Sequence, residues 1–243
     1  MGTRKTPAVL GASGLELRPE ELEPVSAVEL LPGATIERKR VEAVDLSEVE
    51  ASSVQLLEVA LKSVELTQAR LPAARLSDVL ASRLVAPNAR LRHVAMTRCA
   101  FDNSSLVGVD FGEGRLGRVT FRMCKLDLAN LRLAELENVV FDACSLREVD
   151  FYGAKLRDVH FRGSDLNGAD FSQATLEGVD FRSSKLLGVR AVGSLRGGLI
   201  DAGQLIDLAP ALAIEAGIAV EADGGAGGIA SDQVAHEPRS FGS

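Results

Sequence analysis

The chain has 243 residues, of which 46% are hydrophobic, and it carries a formal net charge of −7 at pH 7. No run of about 18 apolar residues occurs, so the sequence predicts no membrane-spanning helix. The first 25 residues carry several acids and lack a long apolar segment, which argues against a secretory signal. With the low count of three cysteines, this makes the cytoplasm the expected location.

The segment that begins the chain, residues 1–30, shows no regular pattern, and we expect it to be irregular with a short turn at RPEELEP. The basic stretch IERKRVEAV (36–44) follows it and contains Lys39 at a position that is apolar or small in every later repeat. We interpret this as a ragged first coil, where the stem of Lys39 can extend to water. Binding of an acidic partner is the alternative.

A five-residue repeat then runs without interruption from residue 31 to residue 191. Every residue whose number ends in 1 or 6 is apolar, at all 33 positions. A second register, at numbers ending in 4 or 9, holds Ala, Val, Cys or Leu at 27 of 32 positions. Each unit therefore contributes one large and one smaller residue to a core.

The spacing of these two registers predicts a coil. Residues two apart on an extended chain point to the same side, and the remaining residues of each unit must turn the chain. Four such sides would close a square of about twenty residues, and successive squares would stack about 4.8 Å apart. The segment then forms about eight coils. The phenylalanines from Phe101 to Phe181 are ten or twenty residues apart, so they should occupy two opposite sides of the core.

The units VDFYG (149–153), SDLNG (164–168) and ADFSQ (169–173) resemble those of the pentapeptide-repeat family. That family's unit is a small residue, Asp or Asn, Leu or Phe, and two polar residues. The resemblance implies an all-β fold, a right-handed quadrilateral β-helix over residues 31–200. It implies little about function, because most members have no known activity. A few resemble duplex DNA and bind DNA gyrase or topoisomerase in its place.

The open end of such a solenoid needs a cap, and residues 201–220 supply a predicted helical one. Asp201 and Gln204 have the spacing of a capping box. Because proline disrupts a helix interior, Pro210 predicts two short helices, over 202–209 and 210–216. Residues 221–243 are rich in glycine and are predicted to be a disordered tail. The apolar positions in the cap that could contact the solenoid or a second copy are Leu205, Leu208 and Leu212.

The charge distribution bears on the DNA-mimic possibility. Residues 31–191 hold 22 basic and 22 acidic residues, so the acidic surplus lies in the two end segments. Duplex DNA carries about one negative charge every 1.7 Å, and a faithful mimic should carry a surplus along its body. Residues 61–100 instead hold seven basic residues against two acidic ones. The sequence therefore argues against mimicry along the whole rod.

One column of charge stands out in the predicted coil. Because their numbers differ by multiples of twenty, Asp110, Asp150 and Asp170 should stack on one side, and Arg70 and Arg90 should lie in the same column. A solvated face is the ordinary interpretation of such a column, and a partner-binding surface is the functional one.

Residues for catalysis are not grouped in the sequence. The three histidines, His93, His160 and His236, are far apart, and we expect no metal site and no cofactor. Cys99, Cys124 and Cys144 all fall in the small inward register, where they act as core residues. A redox pair between Cys124 and Cys144, one coil apart, is the alternative.

Two functions remain from the sequence, neither of them enzymatic. The first is a non-catalytic protein–protein interaction or scaffold module. The second is a DNA-mimicking binder or protector of DNA gyrase or topoisomerase, which a homodimer through the C-terminal helices would favour. In both cases the expected partner is another protein, with no direct contact to nucleic acid and none to a membrane.

Overall fold

The computed structural model describes residues 14–25, 28 and 30–219. Over most of this range the chain winds into a parallel β-solenoid of about eight coils, which one helix follows. Residues twenty apart lie side by side on neighbouring coils, as Leu56 does with Leu76 and Leu76 with Met96. The predicted β-helix with about twenty residues per coil is confirmed.

In the described part of the chain, twelve strands form one sheet that wraps around the solenoid. They are β1 (Glu23–Val25), β2 (Thr35–Glu37), β3 (Lys39–Glu42), β4 (Gln55–Lys62), β5 (Arg75–Ser82), β6 (Ala95–Asp102), β7 (Arg115–Arg122), β8 (Glu135–Glu137), β9 (Val140–Asp142), β10 (Lys155–Arg157), β11 (His160–Arg162) and β12 (Thr175–Glu177). These strands cover two adjacent sides of each coil. The other two sides contain turns and single bridges, such as that between Asp110 and Asn130.

The two apolar registers fill the lumen of the solenoid. Nearly all of their residues between Val41 and Val189 are buried and form one continuous core. Leu31, the first position of the predicted frame, is an exception, because its side chain is 55% exposed. It precedes the turn at Gly33, and Ile36 is the first large residue of the frame to pack against the core.

The phenylalanines stack in two columns on opposite sides of the lumen, as their spacing predicts. In the first column the neighbouring ring centroids are 5.0–5.2 Å apart, for Phe101, Phe121, Phe141, Phe161 and Phe181. In the second, Phe151 and Phe171 are 4.8 Å apart. The columns meet edge to face, with the Phe151 and Phe161 centroids 6.0 Å apart. Aromatic contacts thus tie neighbouring coils and opposite sides together.

Every corner of the solenoid uses the left-handed backbone conformation. Between Arg38 and Ser183, all non-glycine residues of positive φ have numbers ending in 3 or 8, with φ from 47° to 67°. These residues end each unit, so the chain turns once every five residues. L-residues adopt this region at a cost, which the stacked backbone hydrogen bonds offset.

The N-terminal segment, expected to be irregular, continues the solenoid in its described part. It contains a 3₁₀ turn (Pro19–Glu21) and β1, and β1 pairs in parallel with β3. Lys39 forms an ion pair with Glu23 of β1, so its side chain ends at the surface as expected but with a specific partner. The expectation of an irregular segment depended on local pattern, and pairing with a distant strand overrides such a pattern.

The C-terminal cap is a single helix, α1 (Ala202–Glu215), and the prediction of two helices broken at Pro210 was wrong. Proline lacks an N–H, so the carbonyl of Ile206 loses its partner. Ile206 is 74% exposed, and water can bond that carbonyl. The helix therefore passes through Pro210 without a break.

Both ends of α1 are capped. Asp201 and Gln204 form the predicted capping box, with each side chain accepting from the other's backbone N–H. At the other end the N–H groups of Gly217 and Ile218 donate to the carbonyls of Ile214 and Ala213, which is a Schellman motif. The predicted tail, residues 221–243, lies outside the described residues. No helix within the described ranges is long and apolar enough to span a membrane.

Candidate interaction surface

The five charged residues singled out from the sequence belong to one stacked column. Successive members pair through single parallel bridges, and the column consists of Glu50, Arg70, Arg90, Asp110, Asn130, Asp150, Asp170 and Arg190. We call this the charged column. The predicted stacking of Asp110, Asp150 and Asp170 with the two arginines is therefore present.

The carboxylates of the charged column take part in the turns that follow them. The N–H two residues on donates to the side chain in each case: Gly112 to Asp110 (3.0 Å), Tyr152 to Asp150 (2.8 Å) and Ser172 to Asp170 (2.8 Å). Asn130 accepts from the N–H of Arg132 in the same way, at 3.0 Å. Such bonds hold the side chain close to the backbone, so these residues are half-buried. The aspartates thus have a structural role whatever they bind.

The charge state of Asp170 follows from its surroundings. Burial raises the pKa of this carboxyl. Hydrogen bonds from Ser172 and the charges of Arg190 and Arg132 lower the pKa by more than burial raises it, so the net shift is downward. Asp170 is therefore ionised at neutral pH. Its Oδ2 lies 3.5 Å from Nε of Arg190, which neutralises part of this charge.

The arginines of the column extend further into solvent than the aspartates. Nη1 of Arg70 lies 2.6 Å from Oε1 of Glu50. Arg90 is exposed and forms no ion pair with any residue that the structure describes. A surface groove of about 620 Å³ runs past these residues and Asp110, with Asn88 on its other wall. Two exposed arginines are thus followed by half-buried carboxylates, and an exposed residue of the opposite sign lies at each end of the column, Glu50 and Arg190.

The comparisons with known proteins agree with this fold. A pentapeptide repeat region is matched over residues 94–171, and pentapeptide repeats (8 copies) over residues 154–190. Residues 94–190 belong to the pentapeptide-repeat family. The same frame and the same twenty-residue register extend from residue 36 through this pentapeptide-repeat region.

Solved structures of other pentapeptide-repeat proteins resemble the chain. One is HetL, involved in heterocyst differentiation regulation in the cyanobacterium Nostoc sp. strain PCC 7120. It is 19% identical over 69% of this chain and 85% of its own, with a TM-score of 0.48. Another is QnrB1, a plasmid-mediated fluoroquinolone resistance protein. It is 19% identical over 83% of this chain and 100% of its own, with a TM-score of 0.33. No curated protein gives a sequence match.

The histidines of the pentapeptide-repeat solenoid each face one carboxylate. Nδ1 of His93 is 3.7 Å from Oε2 of Glu113, and Nδ1 of His160 is 3.9 Å from Oδ2 of Asp180. His236 lies outside the described residues. Among the residues that are described, no group of three His, Cys, Asp or Glu side chains is placed to hold a metal ion.

The cysteines are buried in the core, at the small inward positions predicted for them. Burial raises the pKa of the Cys99 thiol to about 12. The thiols of Cys124 and Cys144 lie one coil apart and donate to backbone carbonyls, and the neighbouring thiol together with burial raises the pKa of Cys144. All three are free thiols, and the geometry supports their role as core residues.

The three leucines of the helical cap separate into two sets. Leu208 is buried against the last coil, and Leu205 and Leu212 are 51% and 37% exposed. Leu208 is therefore a cap contact. The other two are free to meet a second molecule.

One exposed feature was not identified from the sequence. Three successive corners of one coil, Met123, Leu128 and Leu133, carry large apolar side chains that are 50–58% exposed. Leu128 and Leu133 flank the side that carries the charged column. The signal was present in the sequence, because numbers ending in 3 or 8 are mostly polar or small in the other coils.

Proposed function

We propose that this pentapeptide-repeat protein is a non-catalytic interaction module that binds another protein through the side carrying the charged column. The observation that supports this most directly is the order of charge along that column. Between Glu50 at one end and Arg190 at the other, the two arginines lie on neighbouring coils and three carboxylates follow them, from Asp110 to Asp170. A flat partner with the opposite order of charge would be recognised and oriented by such a side.

Charge reversal of the two neighbouring arginines of the column tests this proposal. The double variant Arg70→Glu/Arg90→Glu changes two exposed side chains, and Arg83→Glu/Arg162→Glu makes the same change on the opposite side of the solenoid. Affinity capture from extracts of the source cells should recover a partner with the wild type and the opposite-side variant, and lose it with the first variant. Equal recovery by both variants would refute the proposal.

DNA mimicry of the gyrase or topoisomerase substrate is the second candidate. The stacked carboxylates of Asp150 and Asp170 favour it, because they place negative charge at the same position of two successive coils. The balanced charge of residues 31–191 weighs against it. Titration of purified protein into a gyrase supercoiling assay separates the two candidates. Absence of both inhibition and protection at large molar excess would end the mimic hypothesis.

Homodimerisation through α1 is part of this second candidate. Leu205 and Leu212 form an exposed apolar face on the cap. The variant Leu205→Glu/Leu212→Glu should abolish a dimer of this kind in sedimentation equilibrium. An unchanged molecular mass in the variant would show that α1 is not the contact.

A further inference from the structure

We infer that the partner of the charged column is a second copy of this chain, docked side by side in the antiparallel direction. This rests on the proposed function, since it names the partner of the same surface. An antiparallel pair related by a two-fold axis places each column against itself in reverse order.

The charged column is complementary to its own reverse. Antiparallel pairing brings together Glu50 with Arg190, Arg70 with Asp170, Arg90 with Asp150, and Asp110 with Asn130. Three of the four pairs join opposite charges, and the fourth joins a carboxylate to an amide that already donates to it within one chain, at 2.7 Å. A parallel pair would instead place like charges together.

Other columns of the solenoid do not have this property. In the corresponding column of the opposite side, the same operation gives a single pair of opposite charge, Arg40 with Asp180. In the column that begins at Thr35, it gives only Arg75 with Glu135. In the column that begins at Asp45, it places Glu65 against Asp165. Like charges directly opposite each other disfavour association. The pattern is therefore a property of one side and not of the repeat in general.

The ends of the charged column would form alternating charge clusters. Arg70 pairs with Glu50 within its own chain, and Arg190 with Asp170. In the antiparallel pair these two ion pairs lie against each other with opposite polarity, so each charge has two opposite neighbours. Such networks stabilise more than isolated surface pairs. Arg90, which lacks an ion pair among the described residues, would form one with Asp150 of the second copy.

The edges of the side are also complementary near the two-fold axis. Leu128, 58% exposed, would face Gly108 of the second copy, since these positions mirror each other about the axis. Gly108 has a φ of +66° and no side chain, and it forms part of the groove described above. On the other edge Leu133 would face Glu113, so neither edge brings like charges together.

The size of the side sets the expected affinity. Seven spacings of about 4.8 Å give a length of about 34 Å, and five residues give a width of about 16 Å. Two such sides bury about 1,100 Å² in total, near the lower limit for a specific interface. The described N-terminal segment lies at another corner, beside Glu58 and Asp78, and leaves this side open. The dimer should therefore be weak and sensitive to salt.

Sedimentation equilibrium tests the association in the Leu205→Glu/Leu212→Glu background, which removes contacts through α1. We expect a dimer at low salt whose dissociation constant rises about ten-fold or more in Arg70→Glu/Arg90→Glu, because like charges then face each other. The opposite-side variant Arg83→Glu/Arg162→Glu should not change it. A monomer at all concentrations, or equal dimerisation of both variants, would overturn the inference.

Disulfide cross-linking tests the antiparallel register. Arg92 and Tyr152 mirror each other on the charged side, three coils apart within one chain. A mixture of Arg92→Cys and Tyr152→Cys chains should form a cross-linked heterodimer on oxidation, while neither variant should cross-link alone. Ser82→Cys with Asp142→Cys is the matched pair on the opposite side. The native cysteines are buried and do not compete.

The two proposals fail in different ways. Heterodimer yields no higher than those of the Ser82→Cys and Asp142→Cys pair would overturn the self-association. In that case, affinity capture could still recover a different protein with the wild type and lose it with Arg70→Glu/Arg90→Glu. The proposed function would then stand, and only the identity of the partner would be wrong.

Discussion

The two halves of the solenoid share one backbone and differ in what fills it. In the first aromatic column the inward residue is Val41, Leu61 and Ala81 in the early coils, and phenylalanine in every coil from Phe101 to Phe181. The backbone register remains at twenty residues throughout. The identity of the core residue therefore does not set the geometry of the coil.

The two halves also differ in how tightly their inward side chains pack. An apolar void of about 60 Å³ lies in the N-terminal half, and Ala86 is among its lining residues. Leu66 and Leu91 in this half are each 8% exposed, whereas Leu146 and Leu166 in the C-terminal half are fully buried. Unfilled space forfeits contacts that the aromatic columns provide.

The corners differ in the same direction. The glycine corners of the solenoid after Gly33 lie in its later part, at Gly108, Gly153, Gly163, Gly168, Gly178 and Gly188. Between residues 38 and 103 each corner has a side chain and a positive φ. A left-handed non-glycine residue costs about 1 kcal/mol. The comparison indicates that the N-terminal half is the less stable part of a continuous structure.

Removal of one ring from the first aromatic column should lower the stability of the C-terminal half more than any other change proposed for the solenoid. Phe141 is fully buried, with ring centroids 5.1 Å away on both sides. Phe141→Ala should lower the free energy of unfolding by about 4 kcal/mol in urea denaturation, because it leaves a cavity in a tightly packed region. Leu61→Ala, in the same column beside the void, should cost about 2 kcal/mol. Equal costs would contradict the difference in packing.

Loss of a hydrogen-bonding contact between the helical cap and the last coil should reduce the stability of the C-terminal half. Nε2 of Gln204 donates to the carbonyls of Phe181 and Ser184, and the Phe181 carbonyl also accepts from the N–H of Ser184. Gln204→Ala should cost about 2 kcal/mol, because the carbonyl of Ser184 loses its donor. The control is Asp207→Ala, an exposed position on the same helix. A midpoint equal to that of the control would show that water replaces the side chain.

Filling the apolar void should raise the stability of the N-terminal half and so reduce the difference in stability between the two halves. Ala86 lies between Leu66 and Leu106 in its column, so Ala86→Leu continues a column of leucines. We expect a gain of about 1 kcal/mol from the added burial. Ala154→Leu, at a fully buried small position in the C-terminal half, should instead cost about 2 kcal/mol through overpacking.

Hydrogen exchange measures the same difference without a global transition. Amides of the coil over residues 76–95 should exchange faster than those of the coils after residue 141, and Ala86→Leu should slow them. Equal protection in the wild type would contradict a softer N-terminal half.

The core was predictable from the sequence because an inward position tolerates only apolar side chains, whatever the rest of the unit. Leu31 and Pro210 were misjudged for the opposite reason, since both lie at ends where solvent replaces a packed neighbour. The pairing of β1 with β3 was also missed, because a three-residue strand has no periodicity of its own.

The candidate surface was predictable only as a column of residue numbers. The register placed Asp150 and Asp170 side by side, but not their bonds to the turns, which depend on side-chain conformation. The ion pairs between coils could not be predicted for the same reason. The contribution of these ion pairs to the free energy of unfolding should be smaller than that of the core and cap residues, and it has to be measured.

The ion pair between Asp78 and Arg98 provides that measurement in the N-terminal half. Oδ2 of Asp78 lies 2.5 Å from Nη2 of Arg98, whose hydrogen bond lowers the pKa of the carboxyl. A lowered folded-state pKa adds stability above the ordinary value of about 3.9, and this stability is lost as the pH falls through the folded value. Arg98→Met should therefore cost about 0.5 kcal/mol at pH 7 and nothing near pH 2.

Arg118 provides the matched control for Arg98. It occupies the next position of the same column and forms no ion pair with any described residue. Arg118→Met should leave the unfolding free energy unchanged from pH 2 to pH 7. Because the solenoid has the same backbone at both positions, a pH-dependent loss in Arg98→Met alone assigns the effect to the carboxylate of Asp78. The same loss in both variants would assign it to the net charge of the chain.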